Sequence, residues 1–452
     1  MSTQPSLFMS RFSGQRAFYA VTFGQFISLL GSGMTRFGLG IWVLRETGDT
    51  TAYSALLFFA VLPVGLGSIF TGTLVDRWNR RVVMLAGNTV ASLSTLVAAL
   101  LFFGGALEIW HLYIVLTVNG IANAFVIPSM EASVPMLVKK ENLGRAAGLT
   151  QLTTSLELIV SPALAGILLV SSGLGFIFIV DFVTFGACVI ALALSAIPQP
   201  APDPAPNPGN KRAGLLGEFI FGFRYIAERP PFVYLMTLVT LAFFLMPGIG
   251  YALSTPLALS VGDERAAGLI RSSFGAGAMI SGILLTAWGG PKRRMYGVLA
   301  SLAIAGLASI LIGARESIPL MAAGTFCIGV TFMFMFGMNR VIWQVKAAPE
   351  VLGRISSLRM ALGSGASSIG VLVAGPLAQH VFEPMMAEGG ALAGSFGPII
   401  GVGDGRGMAL IYIIEGLMLI TIVAVSALTR RIRLMEDLLP DQTPSANVKN
   451  VN

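Results

Sequence analysis

The sequence has little charge and few of the side chains that catalytic or metal sites require. Only 11% of its 452 residues are charged, while 55% are hydrophobic and the mean hydropathy is +0.79. A typical soluble domain has about 25% charged residues. The two cysteines, Cys188 and Cys327, lie in apolar runs, and the two histidines, His111 and His380, are far apart. This composition argues against a disulfide framework and a thiol metal site, and it indicates a polytopic membrane protein.

Several sequence motifs of enzymes are also missing. No lysine precedes a serine or a threonine, so the phosphate-binding loop of nucleotide hydrolases is absent. Neither a zinc-protease motif nor a nucleophile elbow occurs. The net charge of +7 comes from basic residues in short loops between apolar runs, so it does not indicate nucleic-acid binding. We therefore predict no catalytic residue, no metal and no cofactor, and no nucleic-acid partner.

Long apolar runs occupy most of the chain. A membrane-spanning helix needs roughly 20 such residues. Arg11 and Arg16 precede the first run as in a secretory signal, but the run continues to about Val43 and is predicted to be a retained span. The predicted fold is therefore an all-α membrane protein with twelve transmembrane helices near 17–44, 52–75, 82–104, 110–136, 146–170, 174–196, 231–258, 266–289, 295–313, 317–343, 355–380 and 407–429.

The basic residues of the loops predict the orientation of the helices. With the N-terminus inside, nearly all lysines and arginines fall in inner segments, and the outer segments carry only Arg45, Arg265, Arg315 and Arg406. Cytoplasmic loops of membrane proteins are enriched in Lys and Arg. We therefore expect a multi-pass protein of the cell membrane with both termini in the cytoplasm.

A proline-rich segment divides the chain into two halves. Prolines occupy alternate positions from Pro198 to Pro208, which excludes helix and strand and predicts a stiff linker. Apolar residues of Leu215–Arg229 share one helical face, which predicts an amphipathic helix on the inner membrane surface. The predicted domains are a six-helix bundle at 1–196, the linker and amphipathic helix at 197–230, a second six-helix bundle at 231–430 and a polar cytoplasmic tail at 431–452.

The two halves resemble each other. Glu141-Asn-Leu-Gly-Arg145 follows the fourth run, and Glu350-Val-Leu-Gly-Arg354 follows the tenth. Asp181 in the sixth run corresponds to Glu415 in the twelfth. Such internal similarity predicts two repeated bundles.

The loop between the second and third runs carries a specific pattern of charge, Gly72-Thr-Leu-Val-Asp76-Arg77-Trp-Asn79-Arg80-Arg81. It resembles the loop signature of the major facilitator superfamily, with Asn79 in place of the usual second glycine. In that family the loop latches the cytoplasmic side in one state of the transport cycle. The resemblance implies this latch role for Gly72, Asp76, Arg77, Arg80 and Arg81. The alternative is an ordinary basic cytoplasmic loop.

Ionisable side chains inside a membrane usually face a cavity or a partner. Glu157 lies near the middle of the fifth run, where loss of water favours a protonated carboxyl. It is our candidate for proton coupling or for binding a cationic substrate, and a packing hydrogen bond is the alternative. We expect Arg36, in the outer part of the first run, either to form a structural bridge with Asp181 or to line the cavity. Asp181 is the third candidate for this site.

The tenth run contains a cluster of aromatic and thioether side chains at 332–338, which includes Phe332, Met335 and Phe336. Such side chains can repack around varied apolar ligands. We consider these three residues a possible substrate wall. Because the cluster covers all faces of a helix, some of its members must face lipid.

Within the superfamily, the chain resembles most the macrolide-efflux branch of drug:proton antiporters. The resemblance rests on Gly31-Ser-Gly-Met34, Val180-Asp181-Phe-Val-Thr-Phe185 and the outer segment Phe382 to Gly407. The fourth run has Leu116 where drug antiporters of this kind carry an arginine, so their proton relay does not transfer. The fifth run has Ser161-Pro162-Ala-Leu-Ala165-Gly166 where they have Gly-Pro and paired glycines.

The resemblance implies a monomeric, proton-coupled exporter of amphipathic small molecules, such as macrolide-like drugs or secreted metabolites, that works by alternating access. A lysophospholipid or siderophore transporter is an alternative within the same class. A transport-inactive membrane scaffold or sensor is an alternative from another class.

Overall fold

The computed structural model of the protein describes residues 12–75, 78–198, 215–348, 351–429 and 433–439, which are almost entirely helical. The long helices of the first half are Gly14–Thr47, Thr50–Val75, Arg80–Phe103, Ile109–Leu137 and Leu143–Leu194. Those of the second half are Pro230–Phe243 with its continuations Phe244–Gly250 and Tyr251–Val261, then Glu264–Trp288, Arg294–Ala314, Ile318–Lys346, Leu352–Leu377 and Arg406–Leu428. Short helical segments are Lys140–Asn142, Leu215–Ala227, Ala378–Phe382, Glu383–Met386, Ala393–Ile400 and Met435–Leu438.

The 52-residue helix Leu143–Leu194 consists of two spans. Gly173 interrupts it with φ 75° and ψ 175°, a conformation that favours glycine. The chain reverses there, because Ser161 and Asp181, on either side of the break, both contact residues 30–35 of the first helix. With this helix counted twice, the eleven helices of spanning length in the described chain give the twelve predicted spans. We number them 1 to 12 in chain order, with span 5 at 143–172 and span 6 at 174–194.

The ends of the spans are arranged on two sides, which we call the termini side and the far side. On the termini side, Phe12 pairs with the end of span 6, and Glu436 accepts a hydrogen bond from the Met295 amide at the start of span 9. On the far side, the end of span 1 meets the start of span 8 through the ion pair of Arg45 and Glu264. Both ends of the described chain therefore lie on the same side.

The apolar cores separate into two bundles. The largest buried cluster draws almost all its members from residues 226–439, whereas the smaller clusters draw theirs from residues 12–197 and 386–410. Each half of the chain thus buries its own apolar surface. Two six-helix bundles were predicted from the internal similarity, and this prediction is confirmed.

The bundles contact each other along their far-side halves, through spans 5 and 8 and through spans 2 and 11. Ser272 of span 8 donates a hydrogen bond to the Ile159 carbonyl of span 5. The Thr50 amide of span 2 donates to Gln379 Oε1 at 3.2 Å, and Thr51 lies 3.5 Å from His380. The far side is therefore closed between the bundles.

The amphipathic helix Leu215–Ala227 is present and packs partly against span 11. Gly222 and Ile226 are buried, and a β-carbon at position 222 would lie 3.6 Å from the Arg354 carbonyl oxygen. Ile220 and Phe223 are 60% and 62% exposed, as expected of side chains that reach into lipid. The linker prolines beyond Pro198 lie outside the described residues.

Candidate functional site

A cavity of about 740 Å³ lies in the N-terminal bundle between spans 1, 2, 4 and 5. It extends from Arg36 in span 1 to Pro135 and Leu143 at the termini-side ends of spans 4 and 5. A smaller space of about 150 Å³ adjoins it and shares part of its lining. The cavity thus connects the middle of the bundle with the termini side.

Polar side chains line both spaces along one face of each helix. Asn119 and Asn123 of span 4 and Thr150 and Thr154 of span 5 are each four residues apart, so each pair occupies one helical face. Asn119 donates a hydrogen bond to Ser94 Oγ of span 3 at 2.7 Å. These residues were not among the sequence-based candidates, although polar side chains one turn apart in an apolar run indicate a polar helical face.

An ion pair lies at the inner end of the cavity. Arg36 Nη2, in the far-side half of span 1, lies 3.1 Å from Glu157 Oε1 in the middle of span 5. The Arg36 side chain is 44% exposed towards the cavity, whereas that of Glu157 is 12% exposed. The pair therefore neutralises a carboxylate at membrane depth and leaves its cationic member accessible to a molecule in the cavity.

The local sequence of span 1 permits this pairing. Gly33 has no side chain between the helices, and a β-carbon there would lie 2.5 Å from Glu157 Oε1 and 2.7 Å from Ser161 Oγ. Arg36 follows Gly33 by three residues and therefore lies on the same helical face. The Gly31-Ser-Gly-Met34 motif, which we used as a family resemblance, thus has a direct structural role.

Asp181 of span 6 approaches the same segment of span 1 from the other side. Its two carboxylate oxygens accept hydrogen bonds from Ser32 Oγ at 3.1 Å and Thr35 Oγ1 at 2.9 Å. Asp181 as a whole is 6% exposed. Segment 31–36 of span 1 therefore holds two carboxylates, Asp181 through hydroxyl groups and Glu157 through the guanidinium.

One of our two expectations for Arg36 is wrong. The structure pairs Arg36 with Glu157 and not with Asp181. The reason lies in the hydrogen bonds, because Ser32 and Thr35 already satisfy both oxygens of Asp181. The residue of span 1 that lies against Glu157 is a glycine, Gly33, which offers the carboxylate no hydroxyl group.

The described arginines of the latch loop bind helix ends within their own bundle. Arg80 Nη1 donates to the Ala132 carbonyl of span 4 at 2.7 Å, and Arg81 Nε donates to the Leu192 carbonyl of span 6 at 3.2 Å. Cations are favourable near helix C-termini, where the helix dipole is negative. Asp76 and Arg77 lie outside the described residues, as does the environment of Gly72, which belongs to span 2.

The three residues of the possible substrate wall lie one turn apart on span 10 of the C-terminal bundle, and Phe332 and Phe336 both contact Phe243. Phe332 lines a small cavity of the C-terminal bundle, about 40 Å³ in volume. Met335 is fully buried in the core, and Phe336 contacts Phe243, with ring centroids 6.3 Å apart. None of them lines the large cavity next to Arg36 in this conformation.

The model of the family described as "Major Facilitator Superfamily" matches residues 21–371. The chain therefore belongs to the Major Facilitator Superfamily. It is a multi-pass membrane transporter of that superfamily.

Characterised relatives in the superfamily are exporters by name. Macrolide efflux protein A of Streptococcus pyogenes is 26% identical over 379 residues, which cover 80% of this chain and 90% of the relative. The enterobactin exporter EntS of Shigella flexneri is 24% identical over 392 residues, which cover 85% of this chain and 89% of the relative.

Solved structures of the superfamily share the fold. The chain matches a bacterial homologue of the human lysosomal transporter Spinster with a TM-score of 0.65 and 14% identity, over 93% of this chain and 96% of that one. It matches the POT family transporter PepTSo with a TM-score of 0.68 and 12% identity, over 93% and 99%.

Proposed function

We propose that this transporter exports amphipathic organic molecules across the cell membrane in exchange for protons. The observation that carries the proposal is the Arg36–Glu157 ion pair at the end of a cavity of about 740 Å³. A cavity of this volume can take up most of a drug-sized molecule. The export direction is supported by the names of the relatives, which are a macrolide efflux protein and an enterobactin exporter.

The proposed cycle is alternating access between the two bundles. With the termini in the cytoplasm, as the loop charges predict, the cavity is open to the cytoplasm and the far side is closed to the exterior. A substrate enters from the termini side and meets Arg36, and the bundles then rock to open the far side. We expect the transporter to work as a monomer, because each bundle carries its own core and the cavity lies within one chain.

In this proposal Glu157 couples the proton to the substrate. While Arg36 pairs with Glu157, the carboxylate is charged. A cationic group of the substrate that pairs with Glu157 in place of Arg36 would need the carboxylate in its charged form, and a proton bound to Glu157 would remove that attraction. Substrate and proton would thereby compete for Glu157, as an exchange of one for the other requires.

The test is transport in proteoliposomes with an imposed proton gradient and a labelled macrolide such as erythromycin. Wild-type protein should accumulate the macrolide against its gradient, and Glu157→Gln should bind it but lose the gradient-driven accumulation. Glu228→Gln is the control, because Glu228 follows the helix Leu215–Ala227 and its side chain is 55% exposed. Unchanged accumulation by Glu157→Gln would remove this residue from the coupling mechanism.

A siderophore of the enterobactin type is the second candidate substrate, because the enterobactin exporters match 80–85% of this chain. The same proteoliposomes decide between the two. Gradient-driven transport of enterobactin without transport of the macrolide would select the siderophore.

A further inference from the structure

Glu415 and Asp181 occupy corresponding positions in the two bundles, but their carboxylate oxygens differ in the hydrogen bonds that they accept. Both oxygens of Asp181 accept hydrogen bonds from hydroxyl groups of span 1. Glu415 Oε1 accepts one hydrogen bond, from Ser309 Oγ of span 9 at 3.3 Å. Glu415 Oε2 is buried and has no hydrogen-bond partner within the described part of the chain.

Span 7 brings backbone close to this carboxyl group. The segment Phe244–Gly250 is a π-helix, and such bulges occur frequently at functional sites. It places Gly250 against Glu415, since a β-carbon at position 250 would lie 3.0 Å from Oε2 and 3.1 Å from Oε1. The Tyr412 hydroxyl, one turn before Glu415, donates to the Gly250 carbonyl and is therefore not available to Oε2.

Glu415 lines the cavity of about 40 Å³ in the C-terminal bundle, and the residue is 2% exposed. A cavity needs roughly 10–15 Å³ to hold one water molecule, so a cavity of about 40 Å³ has room for at least one. The space is thus polar on the Glu415 side and large enough for a water that carries a proton to or from the carboxyl.

Of the described residues that line this cavity, Arg271 of span 8 is the one cation. Its guanidinium stacks 3.6 Å from the Tyr251 ring centroid, and Nη1 lies 3.3 Å from Ser254 Oγ. Among the described residues, Arg271 is in ion-pair contact with no carboxylate, and Glu415 with no cation. The other titratable groups that line the cavity are Tyr251 of span 7 and Tyr412 of span 12, and spans 9 and 10 contribute apolar side chains and Thr325 to it.

A buried carboxylate without a cation and with one oxygen unsatisfied is energetically unfavourable, and a bound proton removes the charge. We propose that Glu415 carries a proton in this conformation and forms a second proton-binding site, separate from Glu157, in the C-terminal bundle. Arg271 is the cation that could displace this proton, if it turned from Tyr251 into the shared cavity. Only the part that Glu415 would play in coupling rests on the proposed function. The bound proton itself is a property of the protein without substrate.

The experiment is infrared difference spectroscopy of the purified protein in lipid nanodiscs at neutral pH. We expect wild-type minus Glu415→Gln to show the carbonyl band of a protonated carboxylic acid, shifted in heavy water. Wild-type minus Asp181→Asn serves as the matched comparison, because it changes the corresponding residue of the other bundle. If the Glu415 difference shows carboxylate bands instead, Glu415 is ionised and the proposal is wrong.

Two further variants keep the result decisive. If Glu415→Gln does not fold, Glu415→Asp retains the acid and should shift the carbonyl band, and an unshifted band would assign it to another group and overturn the proposal. Glu157→Gln should leave the band in place, and its loss in that variant would overturn the claim of a separate site. Neither readout needs transport, so a failure of the proposed export function is distinguishable from a failure of this assignment.

Discussion

Gly33 of span 1 lies directly against Glu157 of span 5, so that a β-carbon at position 33 would lie 2.5 Å from the carboxylate oxygen Oε1. This contact sets the distance between the two helices at the depth where Arg36 pairs with Glu157. The ion pair, and with it the inner end of the cavity, therefore depends on the absence of a side chain at position 33, one turn before Arg36.

We predict that Gly33→Ala reduces gradient-driven export and destabilises the protein. The methyl group would push Glu157 and Ser161 away, and overpacking of this kind costs about 1–3 kcal/mol. Gly186→Ala in span 6 is the matched control, because a β-carbon at that position meets no atom within 4 Å. Thermal unfolding in detergent and macrolide flux are the two measurements. Equal behaviour of the two variants would show that span 1 can shift without consequence.

A second prediction concerns the Arg36–Glu157 pair as a unit. Removal of either charge leaves the other without its partner at membrane depth, so Arg36→Gln and Glu157→Gln should each lower stability. The double variant should be more stable than the sum of the two losses predicts. Because Arg36 is exposed to the cavity, we expect a coupling free energy on the order of 1 kcal/mol. Additive losses in the double-mutant cycle would show that the two side chains do not interact.

The sequence was sufficient to predict the twelve spans, because length and hydropathy determine them locally. The candidate site was less predictable. Glu157 and Arg36 could be identified as charges inside apolar runs, but their pairing could not. It depends on the rotation of span 1 about its axis, which places Ser32 and Thr35 towards Asp181 and Gly33 towards Glu157. That rotation follows from the packing of spans 1, 5 and 6 together, which no local pattern encodes.

The interface between the bundles shows the same limit. Pairs of small residues lie four positions apart in spans 2, 5, 8 and 11, a spacing that lets helices pack closely. These spans do form the interface, but Ser161 donates to the Leu30 carbonyl within its own bundle, and Gly370 packs against span 7. Other glycines make the contact, such as Gly275, where a β-carbon would lie 2.7 Å from the Leu158 backbone. Spacing identifies a helix that packs closely, but not its neighbour.

A third prediction concerns the latch loop. Asp76→Asn removes one acceptor charge and keeps the size of the side chain, so it should reduce transport and leave the amount of protein in the membrane unchanged. Arg81→Ala should instead lower thermal stability, because Arg81 holds the end of span 6. Flux at matched expression and thermal unfolding separate the two effects. Normal flux in Asp76→Asn would show that the loop has no latch function and serves only to orient the helices in the membrane.

The last prediction concerns the closed far side, where Arg45 of span 1 pairs with Glu264 of span 8 across the two bundles. Glu264 is 7% exposed, so its carboxylate loses most of its hydration when this side closes. Arg45→Gln would leave that charge without its partner in the closed arrangement, whereas opening of the far side would return Glu264 to water. The variant should therefore shift the population towards the state that is open on the far side. Since the Arg45 side chain is 63% exposed, we expect a shift of about 1 kcal/mol, roughly fivefold in the equilibrium constant.

This shift can be measured with a single cysteine at position 147, which lines the termini-side part of the cavity. Cys188 and Cys327 are first replaced, and a membrane-impermeant thiol reagent is applied to the termini side. Arg45→Gln should slow the labelling of Ala147→Cys, because fewer molecules then expose the cavity to that side. Arg315→Gln serves as the control, since Arg315 is also predicted on the far side and forms no ion pair with the other described residues. Equal labelling rates in the two backgrounds would show that the Arg45–Glu264 pair does not hold the far side closed.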